Sequence, residues 1–328
     1  MTRTAIQVLY SDAALLAVNK PPGLAVHEAP GPGGSVLRAL RGQGLEGLLP
    51  VHRLDKDASG VLLLARSKAA ARALERRWDE VEKTYLALAE GVPLGRRGVI
   101  NAPILENQTG KPERLKRALE HYAAQHGETM VSPLPAPKTS AIHPAGRCAE
   151  TRYRVSEEFA LARSARPREK GKRTQGQRSV VKWSWLELKP RQGRMHQIRV
   201  HLAYIGCPLV GDALYGPAGT AQRGQTDNPE TDGKGYPSPL GRPAVSAPAE
   251  PARSAKQRAA CESAFADLGL CRLALHAAKL VFPHPDKPGE RIAVEAPLPE
   301  DLAAVLEYLR ARSQKPKASA TVHPEPRP

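Results

Sequence analysis

Apolar and polar positions along the first hundred residues switch repeatedly between a period of two and a period near 3.6. Ile6-Gln7-Val8-Leu9-Tyr10 and Ala14-Leu15-Leu16-Ala17-Val18-Asn19 read as two short strands, followed by a turn at Lys20-Pro21-Pro22-Gly23. Ser35 stands where it can cap a short helix from Val36 to Arg41, which Gly42 ends. The unbroken apolar run Val61 to Ala65 predicts a buried strand. Ser67 can cap a helix with Ala70, Leu74 and Trp78 on one side, and Lys83 to Glu90 alternates as a further strand. Alternation returns at Ala149 to Val155 and at Val180 to Leu188. Met195, Ile198, Leu202 and Ile205 then recur at helical spacing, predicting a helix of about eleven residues that Gly206 and Pro208 stop. Near the C-terminus, CRLALHAAKLVF and RIAVEAP read as ordered, the latter as a strand. A helix from Pro299 to Arg312 follows, with Leu302, Val305, Leu306 and Leu309 on its apolar side. Strands and helices succeed one another without a Gly-rich phosphate loop. The expected fold is therefore α+β, a mixed and mainly antiparallel sheet with flanking helices, and not a doubly wound nucleotide fold.

Between these elements the pattern fails in three places, near 106–148, 161–178 and 217–262. All three read as loops inserted into one domain spanning 1–312, with 313–328 as a tail that cannot build structure. The second insertion carries Arg163, Arg166, Arg168, Lys170, Lys172, Arg173 and Arg178 against the single acid Glu169. Such a block is either a solvated loop without a partner or a basic arm that closes on phosphates.

Charge adds a partner class. The 328 residues carry a formal net charge of +16 and a pI near 9.9, more than solubility needs. Such an excess is the footprint of a polyanion, which a nucleic acid or an anionic membrane would satisfy equally. No apolar run approaches the roughly 18 residues of a membrane span, and the N-terminus shows no secretory signal pattern, so a soluble, cytoplasmic protein is expected. Cys148, Cys207, Cys261 and Cys271 are far apart and form no C-x-x-C pair, which points away from a zinc site or a disulfide framework. Aromatic content of 4% means that any grip on a nucleic acid leans on charge more than on stacking.

The candidate chemistry lies in Val51-His52-Arg53-Leu54-Asp55-Lys56-Asp57-Ala58-Ser59-Gly60. Apolar residues flank the charged segment, so it reads as a loop between two buried strands, with Ser59-Gly60 supplying the turn. On the residues alone, Asp55 is either an ordinary turn residue or a carboxylate held at the mouth of the core. His196 and His201, five apart, would lie roughly 140° apart on a helix and cannot chelate one metal as an i, i+4 pair would.

The segment HRLDKDASG resembles the active-site block of the RluA family of RNA pseudouridine synthases, which runs His-Arg-Leu-Asp, two variable residues, a hydroxyl residue, Ser and Gly. Ala58 stands where that family usually has Thr, so the turn loses a hydroxyl while the carboxylate is kept. KTYLALAEG at 83–91 and QGRMHQIRVHLAYIGCPLVGDALYG at 192–216 add to the resemblance, in the same order, and LHAAKLVFPHP echoes a further family segment. The likeness is to short members without a separate N-terminal S4-type module.

The resemblance implies isomerisation of specific uridines in structured ribosomal or transfer RNA, without cofactor or metal, by a monomer. The bond from ribose C1′ to uracil N1 breaks, the base turns, and the link re-forms at C5. Asp55 is then the catalytic carboxylate, whether it attacks C6, attacks C1′ or removes a sugar proton. Arg199 is the arginine paired with it, and Tyr85 the tyrosine packed on the target base. Arg53 would take the place of the extruded nucleotide, and His52, Arg194, His196 and Gln197 would bind substrate. Apart from the family, Arg199 reads as a surface residue and Tyr85 as a core aromatic. A non-catalytic RNA-binding or ribosome-assembly factor on the same fold is the competing function. An aspartate-based hydrolase lacks the partner base or metal ligands its site would require.

Overall fold

The computed structural model describes residues 5–27, 34–107, 112–126, 135, 138–162, 180–216 and 264–313. The basic stretch 163–178, the whole of the 217–262 insertion and the tail beyond residue 313 lie outside them.

In chain order the elements are β1 (Gln7–Ser11), β2 (Leu15–Lys20), α1 (Val36–Arg41), β3 (Leu49–Pro50), β4 (Ser59–Ala65), α2 (Lys68–Arg76) and a 3-10 turn at Trp78–Glu80. There follow β5 (Glu82–Glu90), β6 (Arg97–Asn101), β7 (Ile104–Asn107), α3 (Pro112–His126), β8 (Thr139–Ile142) and β9 (Glu150–Ala162). The last are β10 (Val180–Pro190), α4 (Gln197–Tyr204), β11 (Leu275–Pro283), β12 (Arg291–Glu295) and α5 (Glu300–Arg312). Among the described residues ten strands form one sheet in the order β1-β2-β4-β11-β5-β10-β9-β6, with β12 added to β11 and β3 to β4. Every pairing in it is antiparallel except β4 with β11, so the sheet is mixed and mainly antiparallel, as the pattern implied.

Both faces of the sheet are covered, and the sequence shows why. Along β4 all seven residues are buried. Val61 and Leu63 pack with Ala70 and Leu74 of α2, while Leu62 and Leu64 pack with Val36 and Leu40 of α1. A strand between two helix layers reads as a continuous apolar run because neither side of the pleat meets water. In β10, Leu186 and Leu188 meet Ile198 and Leu202 of α4, whereas Trp183 and Trp185 meet Leu302, Val305 and Leu306 of α5. α4 is thus fixed on one face at the middle of the sheet.

Ser59 and Gly60 open strand β4 and do not form the expected turn. They meet β11 in its short parallel contact, His276 opposite Ser59 and Ala277 opposite Gly60. Gly60 has φ +113°, and a Cβ there would lie 2.2 Å from the Ala277 carbonyl oxygen, so only glycine lets the two backbones close. Gly60→Ala is expected to destabilise the fold by about 3–5 kcal/mol, from strain plus displacement of β11. Urea unfolding midpoints of the two proteins measure this.

Three further differences from the sequence reading have physical causes. β9 runs on to Ala162 because Val180 to Pro190 offers it a full-length partner. Phe159 is buried beneath α5, and Glu157 bonds Arg310. α4 is eight residues long and not about eleven, since His196, at φ 57°, interrupts the helical path before it. The stretch 106–148, expected to be unpatterned, holds the rest of a two-stranded β7–β8 sheet and helix α3.

Candidate active site

The loop between β3 and β4 is tied down from beneath. Lys20, fully buried at the end of β2, donates from Nζ to the carbonyls of Pro21 (2.8 Å), Lys56 (2.9 Å) and Ala58 (2.8 Å). Burial lowers its pKa to about 8 against the opposing charges of Asp57 and Asp55. The turn itself closes through main chain: Ala58 N–H donates to Asp55 O at 3.2 Å. With Ala58 buried and both its peptide groups occupied, the turn forms without a hydroxyl at position 58.

Opposite this loop, the first turn of α4 presents Arg199. Its Nη1 donates to Asp55 Oδ2 at 3.2 Å, which joins two residues 144 positions apart. Its Nε and Nη2 fork onto Asp212, each at 2.8 Å. Asp212 Oδ1 also accepts from the backbone N–H groups of Leu214 (2.9 Å) and Tyr215 (3.0 Å). Burial opposes ionisation of Asp212, whose side chain is 0% exposed, but these donors and the Arg199 charge outweigh it and hold its pKa below the usual carboxylate range. Burial likewise opposes charge on Arg199, and the two carboxylates more than compensate, raising its pKa. A bidentate fork fixes the plane of a guanidinium, so Asp212 sets the direction in which Nη1 meets Asp55. Gly211, at φ +72°, brings this segment against Arg272, whose carbonyl oxygen a Cβ would meet at 2.2 Å.

Tyr85, on β5, packs with Leu186 and Leu188 on one side and with Leu54 and Ala277 on the other. Burial, then the Asp55 charge, raises its phenol well above the ordinary value, so it is a neutral O–H donor near pH 7. Arg53 is exposed beside Asp55. His196, just before α4, bonds Tyr215 Oη through Nδ1 at 2.8 Å. It feels Asp55, Arg199, Asp212 and Arg53 in turn, while burial lowers its pKa. Arg194 donates from Nε to Cys148 O at 3.1 Å.

Two expected substrate-binding residues are occupied inside the protein. Gln197 donates to Glu150 O (2.9 Å) and Thr151 Oγ1 (3.1 Å) and accepts from Arg194 N–H (3.1 Å). It anchors α4 to β9. His52 accepts the Leu63 N–H at 2.9 Å through Nε2 and stacks on Trp78 at 5.1 Å. Desolvation, followed by the Lys83 charge, pushes His52 down to about 3. Because this folded value lies below that of an unfolded histidine, its contribution is complete above about pH 6.5 and is lost as pH falls toward 3. His52→Asn is expected to flatten the decline of unfolding free energy between pH 6 and 4 by up to about 1.4 kcal/mol per pH unit. Urea titrations of both proteins across that window provide the check. His201 bonds Thr151 Oγ1 and Ala102 O. Among the described residues no group of three or more His, Cys, Asp or Glu side chains could hold a metal.

Asp55, Arg199 and Asp212 thus form a cluster of one guanidinium between two carboxyl groups, beside Tyr85 on the sheet. Residues 14–204 match the family model for RNA pseudouridylate synthase. The chain is 30% identical over 308 residues to ribosomal large subunit pseudouridine synthase C of Pasteurella multocida (strain Pm70), covering 93% of this chain and 68% of that protein. It is 31% identical over 307 residues to the synthase of the same name from Escherichia coli (strain K12), covering 92% and 70%. Two solved structures share its fold. Human RNA Pseudouridylate Synthase Domain Containing 4 matches with TM-score 0.53 at 24% identity, covering 93% of each chain. Human RNA Pseudouridylate Synthase Domain Containing 1 matches with TM-score 0.54 at 22% identity, covering 96% of this chain and all of that one. The chain belongs to the RluA-type RNA pseudouridylate synthase family and is an isomerase that converts uridine to pseudouridine in RNA.

Sequence reasoning missed Asp212, Tyr215 and Lys20. Asp212 and Tyr215 stood in the quoted GDALYG, where an acidic residue amid small and apolar ones could have signalled a buried counter-ion. Lys20 read as a turn residue, though it directly follows the expected strand Ala14 to Asn19 and closes β2.

Proposed function

We propose that this enzyme modifies uridines of large-subunit ribosomal RNA, with Asp55 as the reacting carboxylate. The supporting observation is the shared guanidinium: Arg199 contacts Asp55 once, at 3.2 Å, while its other two bonds are taken by Asp212. That arrangement holds Asp55 through one oxygen only, leaving the other to meet the substrate. Tyr85, neutral and packed at the same place, offers a ring face for the base and a hydroxyl for a proton transfer. Arg53 can stack in the position from which the uridine is extruded. Isomerisation conserves the atoms of the nucleotide: the C1′–N1 bond breaks, C1′ joins C5, and the C5 proton departs while N1 gains one.

The names of the bacterial relatives point to ribosomal RNA. That Asp55, Arg199 and Asp212 meet within one chain supports a monomer, and a ribosomal RNA substrate supports a cytoplasmic enzyme. Among the described residues no helix is long and apolar enough to cross a membrane. Mapping pseudouridine across total RNA, with and without the gene, tests both activity and target. Loss of one or more large-subunit sites is the expected result; loss confined to transfer RNA would overturn the target, and no loss would overturn the assignment of Asp55 in this chain.

A further inference from the structure

Lys83 is a buried cation with too few partners. It is 7% exposed, yet of the three N–H groups of its ammonium only one is bonded among the described residues, to the Arg191 carbonyl at 3.3 Å. The Trp78 ring, 5.9 Å from Nζ, stands at the edge of cation–π range. No carboxylate among the described residues pairs with it. Elsewhere on the sheet Arg152, Arg154, Lys189 and Lys279, all more exposed, each meet a glutamate. Burial lowers the pKa of Lys83, and no neighbouring charge raises it back. An ammonium withdrawn from water without a counter-ion destabilises the fold.

The backbone sets its place beside the reacting groups. Lys83 and Tyr85 are two apart on β5 and so line one face of the sheet, and Tyr85 packs on Leu54, the residue before Asp55. At its other end Lys83 reaches Trp78, which stacks on His52 at 5.1 Å. Two arginines adjoin these contacts in the chain: Arg53 follows His52, and Arg191 supplies the carbonyl. Both are exposed, and neither has an ion-pair partner among the described residues.

We propose that Lys83 binds a backbone phosphate of the RNA beside the extruded uridine. A phosphate oxygen accepts the N–H groups that the protein leaves open and brings the missing negative charge. A uracil carbonyl would supply the acceptor but not the charge. The inference rests on Asp55 and Tyr85 marking where the uridine is held, and it gives Lys83 the task of fixing the strand while the base is out of the stack.

The test compares the full chain with Lys83→Met, which is unbranched and of similar length, and with Lys83→Arg. The enzyme concentration giving half-maximal single-turnover rate is measured over a series of KCl concentrations, with ribosomal RNA from a gene-deleted strain as the probe. In Lys83→Met this concentration should rise about tenfold at low salt, the scale of one charge-assisted contact. The slope of log affinity against log salt should become shallower by roughly 0.7 to 0.9, the share of one phosphate. The urea midpoint of Lys83→Met should hold or rise, since a cation without a counter-ion has been removed. Lys83→Arg keeps the charge and should keep the wild-type slope. A slope unchanged in Lys83→Met would overturn the proposal, and a lowered urea midpoint alongside it would make Lys83 an internal structural cation. Equal losses in the Met and Arg variants would also count against a phosphate. Turnover retained in Asp55→Asn would sink the Asp55 reading instead, and would leave the salt dependence of Lys83→Met as measured.

Discussion

Asparagine in place of Asp55 removes pseudouridine formation, lowering kcat by at least about 10⁴-fold, while RNA affinity stays within several-fold of wild type. The amide is isosteric and its Oδ1 can still accept from Arg199 Nη1, so the loop keeps its shape. It cannot form a covalent bond to C1′ or C6 as a carboxylate does, nor take up a sugar proton. The fold should tolerate the change because Arg199 retains its two bonds to the buried Asp212, and no buried guanidinium is left without a counter-ion. Affinity persists because a protein of net charge +16 binds RNA chiefly through phosphates. Single-turnover assays on ribosomal RNA from a gene-deleted strain, paired with filter binding at fixed salt, measure the two effects. Turnover near wild type would remove Asp55 from the chemistry; a parallel collapse of affinity would mean that it acts in binding.

Much of this site is legible before any coordinates, because Asp55, Tyr85 and Arg199 fall in local blocks whose order along the chain is that of a known family. What the blocks do not carry is which side chains are spent on the protein itself. His52 and Gln197 sit in the two most telling motifs, yet each satisfies backbone groups of a neighbouring element, Leu63 for one and Glu150 for the other. Nothing in local spacing distinguishes a ring that accepts a main-chain N–H from one that meets a ligand. Gly60 is a related case: its neighbour is Ala277, and a close approach between residues so far apart leaves only the glycine as a trace. Helix α3 was legible and overlooked. Leu115, Ala118, Leu119, Tyr122 and Ala123 are half-buried at i, i+3, i+4, i+7 and i+8, a stripe that the surrounding charges and prolines obscured.

Removing Asp212 should damage both the fold and the reaction. Asp212→Ala leaves the Leu214 and Tyr215 N–H groups without their acceptor and strips Arg199 of two of its three carboxylate bonds. Breaking one side of a buried ion pair costs about 3–5 kcal/mol. The effect on rate has a separate origin. Arg199 stands between two carboxyl groups, and the fork onto Asp212 restricts Asp55 to a single longer contact. Without Asp212 the guanidinium is free to turn its planar fork onto Asp55, engaging both oxygens and lowering the carboxylate's reactivity. A loss of kcat of about 10²-fold or more is expected, beyond what the unfolded fraction explains. Asp212→Asn separates the two effects: its carbonyl can still accept from Leu214 and Tyr215, so stability should recover in part while the rate remains low. Urea unfolding and single-turnover rates of the two variants provide the measurement. A variant with wild-type stability and wild-type rate would show that Arg199 needs no second carboxylate to hold its direction toward Asp55.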